Sequence, residues 1–307
     1  MTTAYLHSIT WAHGEKQSFL DEIDADPALR ARTGAEGIEY YFRADCAPWQ
    51  LAHEAATTTL RRADLDISQV DLILYSTEST DTRADISRDP NRFADALGGR
   101  TTPLIAVTGN VCANFGAALA TARNAVRSGE HRTVLIVTTD IWDDRPRLVD
   151  AGTCLMSDAA AAAIVSAAPA PNSTSWAIGK ITPSVDHGMH DVDPAVDTMD
   201  MVRGTVAGIQ RAYRGFFADI APTAFPHLIC GNLGDTVVQM FARLGGFDPA
   251  RMLRQTAAHG HCLAADVLVN LDTYAPTMAA GDRVMAVSSG HNYWTCIDLT
   301  TVTGVLA

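Results

Sequence analysis

The stretch Ile105-Ala106-Val107-Thr108-Gly109-Asn110-Val111-Cys112-Ala113-Asn114-Phe115-Gly116 decides how this chain is read. An apolar run gives way at Gly109-Asn110 to a turn and then to residues with helical spacing, so the segment reads as strand, tight turn and helix, with Cys112 at the turn. A thiol at a helix start faces unpaired backbone N–H groups and the positive end of the helix dipole, which favour the nucleophilic thiolate. The competing reading is an inert buried thiol, because free cysteine is among the most buried residue types.

Outward from Cys112, short apolar runs rich in β-branched residues fall at 70–75, 104–107, 133–139, 160–165, 227–230 and 284–288, and stretches with helical spacing at 51–63, 114–127, 236–244 and 264–274. Strands alternating with helices define an α/β fold, and runs apolar nearly throughout suit strands covered on both faces. Pro169-Ala170-Pro171-Asn172-Ser173-Thr174-Ser175 offers neither helix nor strand continuity and divides the chain into halves 1–168 and 176–307. The halves resemble each other. Val111-Cys112 opens a helix that ends at Ser128-Gly129-Glu130 before a strand, and His261-Cys262 opens one that runs out before Ala280-Gly281-Asp282 and the next strand. A pseudo-twofold axis relating them would set Cys112 opposite His261.

The composition bounds the function. With 307 residues, 47% hydrophobic and 19% charged, the chain can bury a large core. No apolar run approaches bilayer length and no charged-then-apolar leader follows Met1, so a soluble, cytoplasmic protein without a membrane partner is expected. A net charge of −12 argues against nucleic-acid binding. Arg61 and Arg62, the set Arg203, Arg211 and Arg214, and the set Arg243, Arg251 and Arg254 read first as solvated helix surfaces. Six widely spaced cysteines fit free thiols in a reducing compartment. His187 and His190 lack a diagnostic ligand spacing, so no metal is expected.

Several landmarks, in order, resemble the β-ketoacyl-acyl-carrier-protein synthase III family of the thiolase superfamily. They are Arg32-Thr33-Gly34, Val111-Cys112-Ala113-Asn114-Phe115, Ser157-Asp158-Ala159-Ala160-Ala161, His259-Gly260-His261, and Gly281-Asp282-Arg283-Val284 through Ser289-Gly290-His291-Asn292-Tyr293-Trp294. The resemblance implies two duplicated βαβαβαββ halves in a five-layer αβαβα arrangement and a homodimer. It also implies an acyl group carried as a thioester on Cys112, and an oxyanion hole from the backbone N–H groups of Cys112 and of the last Gly-rich turn, Gly290 and His291. No cofactor is implied beyond the phosphopantetheine of a carrier protein or coenzyme A that bears the acyl group.

The pattern is broken in informative places. Family members pair the cysteine with a histidine and an asparagine. Here His261 stands at the asparagine position, and the expected histidine falls on Gly231 of Cys230-Gly231-Asn232-Leu233-Gly234, leaving Cys112, His261 and Asn232 as the candidate catalytic set. In one mechanism His261 is a general base that lets an alcohol or amine take the acyl group from Cys112. In the other, His261 and Asn232 hold a malonyl carbonyl for decarboxylative carbon–carbon bond formation. A third reading, a non-catalytic partner subunit, has no need of Cys112. His227, four residues before Gly231, reads as structural. Ala28 and Ala151 replace the residues that clamp adenine in coenzyme A users, so a carrier protein is the favoured donor, with Arg243, Arg214 and Arg254 as docking candidates and Thr236 where an arginine is usual. Charged residues across 78–91 replace an apolar dimer segment and suggest a short, polar or aromatic acyl group. The preferred reading is an acyltransferase of specialised metabolism acting on a small-molecule acceptor.

Overall fold

The computed structural model describes residues 2–79, 88–142, 146–149, 152–171, 173–193 and 196–303; Ala151, Asn172 and much of 78–91 lie outside them. The first half contains β1 (Tyr5–His13), β2 (Glu15–Ser18), α1 (Phe19–Glu22), α2 (Pro27–Ala35), β3 (Tyr40–Arg43), α3 (Pro48–Ala63), β4 (Leu72–Ser76), α4 (Arg88–Ala96), β5 (Leu104–Val107), α5 (Asn114–Ser128), β6 (Thr133–Asp140), β7 (Leu148–Val149), β8 (Cys154–Leu155) and β9 (Ala159–Ser166). The second contains β10 (Thr174–Val185), α6 (Thr198–Phe216), β11 (His227–Ile229), α7 (Asp235–Leu244), β12 (Met252–Leu253), α8 (Thr256–His259), α9 (Asp266–Tyr274), β13 (Arg283–Ser289) and β14 (Tyr293–Thr303). The six strands and four long helices expected from the sequence all form, with ends displaced by a few residues.

Among the described residues ten strands form one mixed sheet in the order β12-β11-β13-β14-β10-β1-β9-β6-β4-β5. Read outward from the antiparallel β1·β10 joint, β1-β9-β6-β4-β5 on one side repeats as β10-β14-β13-β11-β12 on the other. The duplication is therefore one of topology.

Side-chain alternation makes the layers. Leu72 and Leu74 of β4, Val134 and Ile136 of β6, and Val284 and Ala286 of β13 pack into one core with Phe115 and Leu119 of α5 and Leu268 of α9. Their neighbours Ile73, Tyr75, Leu135 and Val137 face α3, and Met285 and Val287 face α6 and α7. With α5 and α9 between the two half-sheets and helices outside each, the layers run αβαβα. Strands sandwiched this way need apolar residues at every position, because both pleat faces are buried. The alanine run Ala159 to Ala163 in β9 is a weak strand former by itself, and its small side chains admit α3 on one face and α5 on the other. The segment after β9 does not separate two cores: Ala170 is buried, its N–H donates to Ser175 Oγ at 3.0 Å, and residues of both halves share the central cluster.

The repeat register differs from the expected one by two residues. Each central helix is preceded by a single 3₁₀ turn, Val111–Ala113 before α5 and Leu263–Ala265 before α9. The first residue of each turn lies in the left-handed region, Val111 at φ 51° and Leu263 at φ 48°. Val111 therefore corresponds to Leu263 and Asn114 to Asp266, and it is Gly109 that corresponds to His261. A β-branched or bulky residue at positive φ costs on the order of 1–3 kcal/mol and persists only where its surroundings hold it.

Candidate active site

Cys112 sits in the 3₁₀ turn ahead of α5, half-buried, on the face that meets the second half of the chain. Its Sγ lies 2.9 Å from His261 Nε2. His261 is fixed by its backbone: its N–H donates to Leu155 O at 2.7 Å, its carbonyl accepts from Ser157 N–H at 2.9 Å, and it bridges to Met156 beside β8. The Ser157-Asp158 landmark thus serves architecture. Asp158 takes both ends of the Arg147 guanidinium at 2.9 Å and the backbone N–H groups of Ala44 and Trp142.

The other imidazole nitrogen meets a residue that sequence reading passed over. His261 Nδ1 lies 2.5 Å from Asp266 Oδ2, and both side chains are buried. Asp266 also accepts from Asn232 N–H at 2.6 Å, Cys262 N–H at 2.8 Å and Asn232 Nδ2 at 3.2 Å, so four donors fix one carboxylate. Burial alone would lower the His261 pKa. Electrostatic attraction to the sulfurs of Cys112 and Cys154 and to the Asp266 carboxylate, with the Asp266 hydrogen bond, outweighs it and raises it well above the usual histidine value. The arrangement is a Cys112–His261–Asp266 chain, in which the carboxylate fixes the ring and supports an imidazolium.

Asn232 does not join it as a donor to substrate. Its Nδ2 donates to Asp266, while its Oδ1 accepts from Gln255 N–H at 2.8 Å and Asn270 Nδ2 at 3.0 Å. The side chain is fully buried, and the partners of its amide lie within the protein. Gly231, where the resemblance puts a histidine, has no room for one either: a Cβ there would lie 3.3 Å from Asp266 Oδ2 and 3.4 Å from His261 Cε1. The Asp266–His261 pair fills that space.

The oxyanion expectation also changes. Gly290 N–H closes its own hairpin turn onto Tyr293 O at 2.8 Å and is not free to meet substrate. Neither Cys112 N–H nor His291 N–H has an acceptor among the described residues. Gly290 is required for a different reason, since a Cβ there would lie 2.2 Å from Asn110 O in the nucleophile turn. Ser288 braces the same turn, donating to Cys112 O at 3.2 Å and accepting from Gly116 N–H at 3.2 Å.

A cavity of about 290 Å³ opens onto Cys112 and His261. Met201 and Val202 of α6 and Val237 and Met240 of α7 make its apolar walls, and Thr236, Ser289 and His291 add polar groups. A larger cleft of about 640 Å³ around Glu15, Glu22, Tyr41 and Arg147 includes neither Cys112 nor His261. The other cysteines offer no comparable site. Burial pushes Cys230 up to about 12 and Cys262 well above the usual thiol value.

Of the docking arginines, Arg214 and Arg243 are exposed on α6 and α7. Arg254 is turned inward, bound to Asp235, to Leu233 O at 3.2 Å and to Thr256 Oγ1 at 3.3 Å. It is a structural residue. Thr236 is held by the Glu36 carboxylate through its N–H at 2.8 Å and its hydroxyl at 2.5 Å. His187 and His190 are in an exposed turn, and no cluster of metal-ligating side chains is found among the described residues. No helix among them is long and apolar enough to cross a membrane.

Comparison with known proteins agrees with this architecture. The family model of 3-oxoacyl-[acyl-carrier-protein] synthase III matches residues 108–182, which include Cys112. The structure is similar over 97% of this chain and 99% of the other to 3-oxoacyl-[acyl-carrier-protein] synthase III from Aquifex aeolicus, with 17% identity and a TM-score of 0.80. It is similar over 98% of both chains to the acyltransferase ChlB3, with 15% identity and a TM-score of 0.83. A variant of OleA from Xanthomonas campestris matches over 97% and 98% of the two chains, with 15% identity and a TM-score of 0.79. The fold is the thiolase-type α/β fold of the synthase III enzymes. The segment that carries the nucleophile turn is similar to the synthase III family.

Proposed function

We propose that the protein is a synthase III-like acyltransferase that takes an acyl group from a carrier protein or coenzyme A onto Cys112 and passes it to an alcohol or amine. The observation that carries this reading is the contact of His261 with Cys112 on one nitrogen and with buried Asp266 on the other.

The steps balance without a further reactant. The Cys112 thiolate attacks the thioester carbonyl, whose oxygen takes up charge between the N–H groups of Cys112 and His291; each such donor is worth about 3–4 kcal/mol in other enzymes. As the bond to the donor sulfur breaks, His261 Nε2 gives its proton to the leaving thiolate. The raised His261 pKa depends partly on the Cys112 charge, and acylation removes that charge. Neutral His261, its Nδ1–H held by Asp266, is then a base at Nε2. It takes the proton of the acceptor hydroxyl or amine as that group attacks, and release of Cys112 restores the starting pair. General-base catalysis of this kind contributes roughly 10²- to 10⁴-fold.

Decarboxylative condensation is less well served. It needs two donors on the malonyl carbonyl oxygen, whereas Gly231 has no side chain and the Asn232 amide is engaged elsewhere. Exposed Arg214 on α6 and Arg243 on α7, the two helices that wall the cavity, support docking of an acidic carrier protein. Pairing of two copies is supported by β5, a sheet edge on which Ile105 is 50% exposed. A specialised metabolic role fits the departure from the family triad.

The test is a chase. Protein loaded with acyl thioester is offered malonyl thioester or a panel of alcohols and amines, and product and carbon dioxide are measured. Discharge to an alcohol or amine without carbon dioxide is expected. Discharge only by malonyl thioester, with carbon dioxide released, would replace this reading by condensation.

A further inference from the structure

The relation between Asn114 and Asp266 points to a residue outside the chain just described. In the second half, the residue opening the buried helix, Asp266, binds an amide from the loop after β11, Asn232, and accepts a backbone N–H from four residues earlier, that of Cys262. In the first half, Asn114 opens the buried helix, accepts the N–H of Asn110 at 3.1 Å, and donates through Nδ2 to Glu78 Oε1 at 2.8 Å. Glu78 lies in the loop after β4, the counterpart of β11. Each half therefore clamps its pre-helix turn with one carboxylate and one carboxamide, and the two halves place them in opposite order.

The first-half clamp acts on the nucleophile turn. The same Glu78 Oε1 accepts Gly109 N–H at 2.6 Å and Val111 N–H at 3.1 Å. Val111 is the residue held at φ 51°, directly before Cys112. Glu78 is itself anchored, its N–H donating to Asp140 Oδ1 at 2.8 Å. One carboxylate oxygen thus gathers donors from three points around Cys112, and the side chain that supplies it spans from the end of β4 to the start of α5.

We propose that Glu78 is a positioning residue: by holding Gly109, Val111 and Asn114 it keeps the strained turn in the one conformation that presents Cys112 Sγ to His261. The proposal rests on Cys112 as the nucleophile but not on what Cys112 carries. Reach then matters more than charge. Glutamine in place of Glu78 keeps an acceptor oxygen at the same distance, aspartate keeps the charge and withdraws it by a methylene, and alanine removes both.

The experiment measures alkylation of Cys112 by iodoacetamide, followed at the Cys112 peptide by mass spectrometry, in the full chain and in Glu78→Gln, Glu78→Asp and Glu78→Ala, each with and without His261→Ala. Melting temperatures are recorded in parallel. Small displacements of a reacting group cost one to two orders of magnitude, so Glu78→Asp and Glu78→Ala are expected to slow alkylation about tenfold or more, with Glu78→Gln within about threefold of the parent. In the His261→Ala background the Glu78 substitutions should slow it little further, because they act through the same sulfur–imidazole contact. If Glu78→Ala does not fold, the Asp and Gln pair decides alone. Slowing by Gln with a parent-like rate for Asp would overturn the proposal, as would equal slowing with and without His261, or a lowered melting temperature with unchanged alkylation. Failure of every acyl thioester to load the parent protein would instead sink the function proposed above and leave this test standing.

Discussion

Replacing Asp266 by asparagine removes one charge and almost no volume, and its cost can be worked from the contacts of the carboxylate. That group takes four donors, two on each oxygen: His261 Nδ1 and Asn232 N–H on one, Cys262 N–H and Asn232 Nδ2 on the other. A carboxamide has one acceptor oxygen, so either orientation sets its NH₂ against two donors. The less costly orientation aims the NH₂ at His261 and forces the ring into the tautomer that carries its proton on Nε2, where the base is needed. Charge-assisted hydrogen bonds contribute about 1.5–3 kcal/mol each, and breaking a buried ion pair costs about 3–5 kcal/mol. We expect Asp266→Asn to lose roughly 3–5 kcal/mol of stability and, by analogy with the wrong-tautomer loss in serine-protease triads, on the order of 10²- to 10⁴-fold in acyl transfer.

The pH dependence carries a sign. A histidine whose folded pKa is raised contributes stability that is full below its unfolded value, about 6.5, and is lost as pH rises through the folded value. Since the His261 pKa is raised well above 6.5, the stability advantage of the parent over Asp266→Asn should be largest in mildly acidic buffer and shrink as pH increases through the elevated pKa. Single-turnover transfer by quenched mass spectrometry and denaturant unfolding across pH are the assays. A variant with parental transfer rate and the same stability-versus-pH curve would refute the triad.

Three further outcomes are expected from contacts around the site. Gly231→Ala places a Cβ 3.3 Å from Asp266 Oδ2 and should slow transfer with a modest loss of about 1–2 kcal/mol by unfolding, while Gly231→His, which installs the histidine that the resemblance puts there, should not confer malonyl decarboxylation in a carbon dioxide assay. Gly290→Ala drives a Cβ onto the Asn110 carbonyl at 2.2 Å and should cost about 3 kcal/mol or more and abolish Cys112 loading, read by melting and intact mass. Arg254→Ala should lower the melting temperature because it strips Asp235 of its ion-pair partner and removes one of the two donors to Leu233 O; Arg214→Ala and Arg243→Ala should leave melting unchanged and raise the KM for carrier-protein thioesters, an effect that fades with added salt.

Much of the fold was legible because its signals are local. A strand buried on both faces must be apolar nearly throughout, and 133–139 and 284–288 say so without tertiary knowledge. The αL cap at Gly129, with φ 79°, likewise ends α5 where Ser128-Gly129 suggested. The site was legible only in part. Cys112 and His261 stand out by residue type, but Asp266 does not, since an aspartate in the first turn of a helix ordinarily serves the helix dipole. Its role comes from the turn that folds nearby His261 back onto it and from the packing that brings in Asn232, 34 residues away. Matching Asn114 with Asp266 across the repeat would have exposed it, and the two-residue error in register hid that match. Asn232 misled because sequence adjacency to Gly231 says nothing about direction: its side chain points into the Asp266–Gln255–Asn270 network. Arg254 misled for the same reason, as a basic residue in a basic set that the fold turns inward.

Acyl carriage on Cys112 is tested most directly by peptide-level mass spectrometry after incubation with a panel of acyl-carrier-protein and coenzyme A thioesters, for the parent protein and for Cys112→Ala. We predict an acyl mass on the Cys112 peptide of the parent, none in the variant, and its loss when an alcohol or amine acceptor is added. A label on another cysteine, or no label from any donor, would contradict it.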